Sequence, residues 1–351
     1  MAELKKNNIE SIKSSYIIKE IFSFLEEKQK LNIIMYNKHL QNILRVDIEY
    51  YKNKSGKFKI GEKNGIGKEY KLNTDRLLFE GEYLNGKRHG KGKEYHYLSR
   101  IIIFEGEYLN GKRQGKGKEY HLFSGKLIFE GEYLNGKRHG KGIEYNSNNQ
   151  IIFEGEYLNG EKWNGKGYDN DGHLEYELKN GCGKIKEYNI LSGKLEFEGE
   201  YLNGKRHGKG KEYYDNALIF EGEYLNGERH GKGKENNIFG TKLIFEGEYL
   251  NGKRWNGKGY NYNSQIEYEL KNGCGKVREY NYYGKLEFEG EYLNGYKNGK
   301  GKEYYGGNLV FEGEYLNGKR WNGRGKEYEV GGKLKFEGEY LNGEQKVKGK
   351  Q

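Results

Sequence analysis

Apolar and polar residues alternate in short runs through most of this chain. In the stretch that begins at Phe79, the residues Phe79, Gly81 and Tyr83 alternate with Glu80 and Glu82. A period of two is the pattern of a strand with one apolar face. Asn85-Gly86 follows, a dipeptide that tolerates positive φ at both central turn positions, so it predicts a tight hairpin. The chain then returns through Gly90-Lys91-Gly92-Lys93. Glycine weakens a strand interior unless another group must approach the backbone closely. Gly81 and Gly92 are therefore read as sockets for aromatic rings. Glu80 and Glu82 point away from the aromatic face, as do Lys91 and Lys93, and cross-strand pairing gives these charges a structural role worth about 0.2–1 kcal/mol per pair. Strict alternation sends Tyr95 to the face opposite the glycines. A bulge, or a second aromatic layer on that other face, accounts for it, and both stay open.

The hairpin recurs. Nearly the same phrase begins at Phe79, Phe104, Phe129, Phe153, Phe197, Phe220, Phe245, Phe288, Phe311 and Phe336, with weaker copies at Leu174 and Ile266 and an eroded one at Phe58. Successive starts from Phe79 lie 21 to 25 residues apart. A short fixed period marks an array in which each unit packs on its neighbours. A longer period runs through it, because Trp163 and Cys182 recur 92 residues later as Trp255 and Cys274, and Trp321 opens a third, truncated block. Four hairpins place the two cysteines about 38 Å apart, against the roughly 7 Å that a disulfide allows between Cα atoms. They are equivalent positions, not partners. The tryptophans stand where other units carry His89, His139, His207 or His230. They read either as a larger ring in the same packing slot or as a partner-binding hot spot, since Trp beside Arg is a common anchor.

These residues resemble the MORN repeat (membrane occupation and recognition nexus), whose motif runs aromatic-Glu-Gly-x-aromatic-x-Asn-Gly-x-x-x-Gly-x-Gly. The Lys-Glu-Tyr ending is similar to the second subtype of that repeat. The resemblance covers 58–351, with 58–78 a degenerate first unit and 336–351 a truncated last one. It implies a mainly β fold: an elongated, twisted antiparallel sheet of about twelve successive hairpins, roughly 115 Å long at about 4.8 Å per strand. Residues 1–57 differ in kind. Ser15 is placed to cap a helix carrying Ile17, Ile21 and Leu25, with Ile18 and Phe22 beside them. Further helices are predicted near Leu31, Ile34 and Met35, and after Asn37 through Leu40, Ile43 and Leu44. Ile-Phe-Ser-Phe-Leu followed by Leu-Asn-Ile-Ile-Met-Tyr-Asn-Lys resembles an F-box, although the opening Leu-Pro is absent and Leu40 stands where Trp is common. That resemblance implies that Ile21, Phe22, Leu25 and Leu31 contact a Skp1-type adaptor of a ubiquitin ligase. The alternative for this small α-helical segment is a cap over the open edge of the first hairpin.

Composition narrows the function. Hydrophobic residues make up 34% of the chain and aromatics 15%, which suits a thin sheet with one aromatic face better than a thick core. Two cysteines give no disulfide framework, and no apolar run has the length of a signal peptide or membrane span. A cytoplasmic protein, peripheral at membranes if lipid is bound, is the expectation. The net charge of +10 divides into +4 over residues 1–57 and +6 over the array, which holds 51 Lys/Arg against 45 Asp/Glu. Such balance argues against nucleic acid as a partner. The Lys87-Arg88 pair beside the turn is the least committed charge, and Arg88, Arg138, Arg206, Arg254 and Arg320 join Trp163, Trp255 and Trp321 as candidate partner-binding residues. Gly81 through Lys87 imitates a phosphate-binding loop, but Arg88 replaces its Ser or Thr and no helix follows. The broken His column has no supporting ligands, and every acid has a dozen equivalents. No catalytic residue, metal, cofactor or small-molecule substrate is expected. The expected role is a scaffold for protein partners. The rivals are a peripheral module on acidic phospholipid, a partner that the MORN resemblance implies, and a ubiquitin-ligase substrate receptor resting on residues 9–51.

Overall fold

The alternating runs are strands, and the Asn-Gly pairs are the turns between them. The structure, a computed structural model, describes residues 57–346 except 62, 73, 282 and 330–332, together with Phe22. The chain divides into two compact units, Met1–Gly140 and Lys141–Gln351. In the first lie β1 (Lys57–Gly61), β2 (Gly65–Lys71), β3 (Leu77–Leu84), β4 (Lys87–Tyr95), β5 (Ile102–Leu109), β6 (Lys112–Tyr120) and β7 (Leu127–Leu134). Strand β8 (Lys137–Tyr145) carries the division. The second unit continues with β9 (Ile151–Leu158), β10 (Glu161–Tyr168), β11 (Leu174–Leu178), β12 (Gly183–Tyr188), β13 (Leu195–Leu202) and β14 (Lys205–Tyr214). Then come β15 (Ala217–Leu225), β16 (Glu228–Asn236), β17 (Leu243–Leu250), β18 (Lys253–Tyr260), β19 (Ile266–Leu270) and β20 (Gly275–Tyr280). The last are β21 (Leu286–Leu293), β22 (Tyr296–Tyr305), β23 (Asn308–Leu316), β24 (Lys319–Tyr328), β25 (Leu334–Leu341) and β26 (Glu344–Lys346). The protein is mainly β, built of antiparallel sheets of successive hairpins.

Register explains the repeat. Between β3 and β4, Phe79 faces Glu94, Glu80 faces Lys93 and Gly81 faces Gly92, and a bulge then re-phases the pair so that Tyr83 faces Arg88. Between β4 and β5, Gly92 faces Gly106 and Lys93 faces Glu105. The glycines thus form a row across the strands. A Cβ on Gly92 would lie 2.4 Å from the Phe79 ring, and one on Gly117 would lie 2.5 Å from Phe104. Both are sockets for a ring, as the spacing predicts. Phe79, Phe104, Phe129 and their equivalents are fully buried, with Tyr83 and Tyr108 beside them at 3% exposure. Phe79, Phe104, Phe220, Phe288 and Phe311 each meet the tyrosine of their own strand and of the next hairpin edge-on, as Phe79 does with Tyr83 at 5.6 Å and Tyr108 at 5.1 Å. This edge-to-face geometry is the favoured one for aromatic pairs.

Tyr95 settles the open question of its face. Its hydroxyl donates to Glu80 at 2.6 Å, so it lies with the charged residues on the outer face, and Tyr120 repeats the contact with Glu105. The second aromatic layer exists, with a bulge between Glu94 and Tyr95 beside it.

The Asn-Gly turns hold to one another. Asn85 has φ +54°, and the Gly86 N–H donates to the Lys63 carbonyl at 2.8 Å. Gly111 repeats this with Arg88, and Gly136 with Arg113. A phosphate-binding loop needs such amides free, so the imitation starting at Gly81 is a turn.

The weak copies break the pattern. Leu174 and Ile266, in the Phe position by sequence, are each 53% exposed. Tyr176 and Tyr268, two residues later, take the ring's place against Gly167 and Gly259, and Leu178 and Leu270 are buried where other units have Tyr. Within the second unit the sheet is interrupted between β11 and β12 and again between β19 and β20. Isolated bridges, Lys179 to Cys182 and Lys271 to Cys274, span those points. The predicted helices of 9–51, with Ile21, Leu25 and Leu31, lie outside the described residues. Phe22 alone is described there, helical and half-buried.

Candidate functional site

The inner face is closed by its own residues. The Arg88 guanidinium lies 4.1 Å over the Phe79 ring and pairs with Glu69 at 2.9 Å and Glu94 at 3.0 Å. Arg113 does the same with Phe104, Glu94 and Glu119. Arg138 stacks on Phe129 and pairs with Glu119, Arg206 stacks on Phe197 between Glu187 and Glu212, and Arg254 and Arg320 pair with Glu235 and Glu303. The arginines are therefore not the uncommitted charge that their place beside the turn suggests. The register sets Arg88, Arg113, Arg254 and Arg320 opposite buried tyrosines on the aromatic face, where a planar cation can stack and bind carboxylates on both sides.

The Glu of the Lys-Glu-Tyr ending is the hub of this network, a role sequence spacing did not single out. Glu94 accepts from Tyr108 and from both Arg88 and Arg113. Burial alone would raise its pKa, but the hydrogen bond and charge of Arg113, with Tyr108 and Arg88, hold it below the usual carboxylate value. The Tyr108 hydroxyl is pushed well up, first by burial and then by Glu94.

The outer face carries the exposed charges. Its charge ladder matches expectation for Glu80, whose strand-mate pairs follow as Lys68–Glu80 at 3.4 Å, Lys93–Glu105 at 3.8 Å and Lys118–Glu130 at 3.3 Å. The second ladder forms in the Trp hairpins, as Lys166–Glu177 at 4.0 Å, Lys258–Glu269 at 3.9 Å and Arg324–Glu339 at 3.6 Å, but not in the regular ones. Glu82 turns instead to the bulge, accepting the Lys91 backbone N–H at 3.1 Å over Gly90, whose φ of +58° leaves no room for a side chain. Glu291 does the same for Lys300. The Lys side chains of that row are left exposed and, among the described residues, without an ion-pair partner: Lys91, Lys116, Lys184, Lys209, Lys232, Lys276 and Lys300.

Two grooves open on this face after the two interruptions. One has a volume of 690 Å³, with Gly199, Gly210 and Gly222 as its floor and Lys184, Lys209 and Lys232 along one wall. The other, of 610 Å³, has Gly290, Gly301 and Gly313 below Lys276 and Lys300. Each strand sets one sign on both walls, so acidic pairs such as Glu198 and Glu200 alternate with basic pairs such as Lys209 and Lys211. The 92-residue period therefore delivers two copies of one surface.

Trp163, Trp255 and Trp321 are half-buried at the turn edge. Their rings cover the next turn's glycine: a Cβ on Gly181 would meet Trp163 at 2.9 Å, and one on Gly273 would meet Trp255 at 2.8 Å. The following Asn caps the same turn, as Asn164 Oδ1 accepts from the Asn180 N–H at 2.8 Å. The packing role is thus seen directly. One cluster was missed in sequence. Asp169, Asp171 and His173 converge in the loop between β10 and β11. Asp169 Oδ1 accepts the Asp171 and His173 backbone N–H groups, an Asx turn that accounts for the gathering.

The MORN repeat family model matches residues 79–96, 104–121, 129–150, 197–217, 220–235 and 288–309. These six stretches coincide with the regular hairpins, from β3–β4 to β21–β22. A search of curated proteins finds no match. Among solved structures, TarM is similar at 13% identity over 55% of this chain and 30% of its own, with a TM-score of 0.13. TcdB2-TccC3 without its hypervariable C-terminal region is similar at 10% identity over 84% of this chain and 17% of its own, with a TM-score of 0.16. The chain thus spans less than a third of either, and likenesses this slight carry no argument. The six matched stretches and the hairpins beneath them show that the chain carries MORN repeats.

Proposed function

We propose that the protein is a non-catalytic scaffold that presents its outer face to protein partners. MORN repeats are in general protein- or membrane-binding scaffold modules, and the observation that carries the protein reading here is the pair of equivalent grooves. Two like sites on one chain favour a partner with two like segments, whose second contact becomes intramolecular and gains avidity without new chemistry. The inner-face acids, tyrosines and arginines already bind one another, which leaves the outer lysines and groove walls to do the binding. A cytoplasmic protein fits this reading, as does a Skp1-type adaptor engaging Ile21, Phe22, Leu25 and Leu31. No described helix is long and apolar enough to cross a membrane.

The test is retention of a protein partner by the full chain and by a Lys209→Glu, Lys300→Glu variant. Loss in the variant supports the grooves, and equal retention rejects them. One observation favours acidic phospholipid as a second reading: the exposed, unpaired lysine row, each member contributing about 1 kcal/mol near an anionic surface. Salt-sensitive co-sedimentation with anionic vesicles, undiminished by deletion of residues 1–57 and abolished by reversing that row, would favour lipid over protein.

A further inference from the structure

The loop edge of the first unit carries an apolar ridge that the scaffold reading does not use. In the loop between β4 and β5, Tyr97 is 38% exposed and Leu98 57%. In the loop between β6 and β7, Leu122 is 37% exposed and Phe123 68%. The loops touch: Ser99 Oγ donates to the Leu122 carbonyl at 2.6 Å, and His96 meets the Phe123 ring edge-on at 5.8 Å. The ridge continues to the loop between β2 and β3, because Arg76 donates to the Tyr97 carbonyl at 3.1 Å and Lys71 lies 4.1 Å over the Tyr97 ring. Four neighbouring exposed apolar side chains are more than scattered surface residues.

The chain's own amino-terminal segment leaves the sheet on this same edge. Lys57 opens β1 facing Lys71, which leads into the β2–β3 loop. At about 4.8 Å per strand, Lys57 stands roughly 14 Å from the end of β4 and 24 Å from the end of β6. The stretch between residues 28 and 57 reaches roughly 90 Å when extended, so a tethered helix samples the ridge at millimolar effective concentration. Residues 15–28 read as a helix with an apolar stripe of Ile17, Ile18, Ile21, Phe22 and Leu25. Phe22 is helical and half-buried. The stripe is flanked by Glu20, Glu26 and Glu27, with Lys19 and Lys28 also present. The ridge carries Lys71, Arg76, Arg100 and Lys126, against Asp75 alone, which pairs with Arg100. Apolar surface meets apolar surface, and a net acidic rim meets a net basic one.

We propose that the helix of residues 15–28 docks, within the same molecule, on the ridge of Tyr97, Leu98, Leu122 and Phe123. The face used is the one that the F-box resemblance would give to an adaptor, so docking and adaptor binding exclude one another. Hydrogen exchange of the full chain tests this against a Leu98→Asp, Phe123→Asp variant, whose changes fall at exposed loop tips. The expected result is exchange of amides 15–28 about tenfold faster in the variant, with strand amides unchanged. Equal exchange in both proteins overturns the proposal, as does protection that rises with protein concentration, which would assign the ridge to a second copy. A nitroxide on Ser99→Cys, in a Cys182→Ser, Cys274→Ser background, gives an independent reading. Broadened Phe22 resonances support docking, and unchanged ones reject it.

Discussion

The hairpin of β5 and β6 and the one of β11 and β12 start from the same phrase and fold differently. In the first, Gly106 faces Gly117 and the Phe104 ring fills the space above them. In the second, the glycine positions are held by Tyr176 and Ile185, the leading residue Leu174 faces solvent, and the ladder shrinks to one bridge. Both hairpins bury a ring against glycine, but which residue supplies it depends on where a missing side chain leaves room. The regular hairpin concentrates its stability in a Phe, a glycine pair and an Arg–Glu network. The short one relies on a tyrosine over Gly167 and two aliphatic residues, Leu178 and Ile185, and joins the network only through Glu187, which binds Arg206 and Tyr201 of the next hairpin.

That contrast is open to direct attack. An array unfolds in pieces, so each effect is best read as local hydrogen exchange beside the global urea midpoint. Phe104→Ala is expected to cost about 4 kcal/mol, whereas Leu174→Ala at the same sequence position should stay within about 0.5 kcal/mol. A comparable loss at Leu174 would break the comparison. Gly117→Ala places a methyl group against Phe104 and should cost about 3 kcal/mol by overpacking, while Gly111→Ala, at a turn with open space but φ +89°, reports backbone strain alone. Arg113→Ala takes one of two arginine partners from both Glu94 and Glu119 and should cost about 2 kcal/mol, with Arg113→Lys recovering only part of it.

Acid tests the network of the regular hairpin. Glu94, Glu212 and Glu303 are held below the ordinary carboxylate value in the fold, because arginine and tyrosine partners outweigh burial. A depressed folded pKa contributes stability above the unfolded value of 4.5 and loses it as pH falls through the folded value. Protection of the regular hairpins that carry these three acids should therefore fall below about pH 4.5. The smallest effect belongs to the exposed ladder. Lys118→Gln should cost about 0.3 kcal/mol, detectable only as a lower salt dependence.

Much of this was legible in sequence. Period two, Asn-Gly and the glycine sockets gave the hairpin because each rests on local backbone geometry. The bulge was not legible, and it decides the most. By setting three residues of β4, His89 to Lys91, against Glu82 alone on β3, it brings Arg88 opposite Tyr83 and turns Glu82 onto Gly90. Alternation counted along β4 sets Arg88 on the face of Gly92, but it does not place the Glu82 side chain over Gly90. The displaced ring of Tyr176 escaped for a related reason, since aligning copies by their first residue hides an exchange two residues away. The twin grooves were foreshadowed by the repeat of Trp163 and Cys182 after 92 residues, which marks the duplicated block but not its surface.

The turns have a chemical consequence. An Asn followed by Gly ages in solution when the glycine nitrogen attacks the side-chain carbonyl, closes a succinimide ring and expels ammonia. In this protein that nitrogen is engaged. Gly86 gives its N–H to Lys63, Gly111 to Arg88 and Gly252 to Arg229. The repeat is built around a labile dipeptide and withholds the nucleophile for as long as the neighbouring hairpin stays paired. Deamidation should then act as a clock of local opening, converting each exposed turn to Asp or isoaspartate and leaving a negative charge wherever the array has frayed.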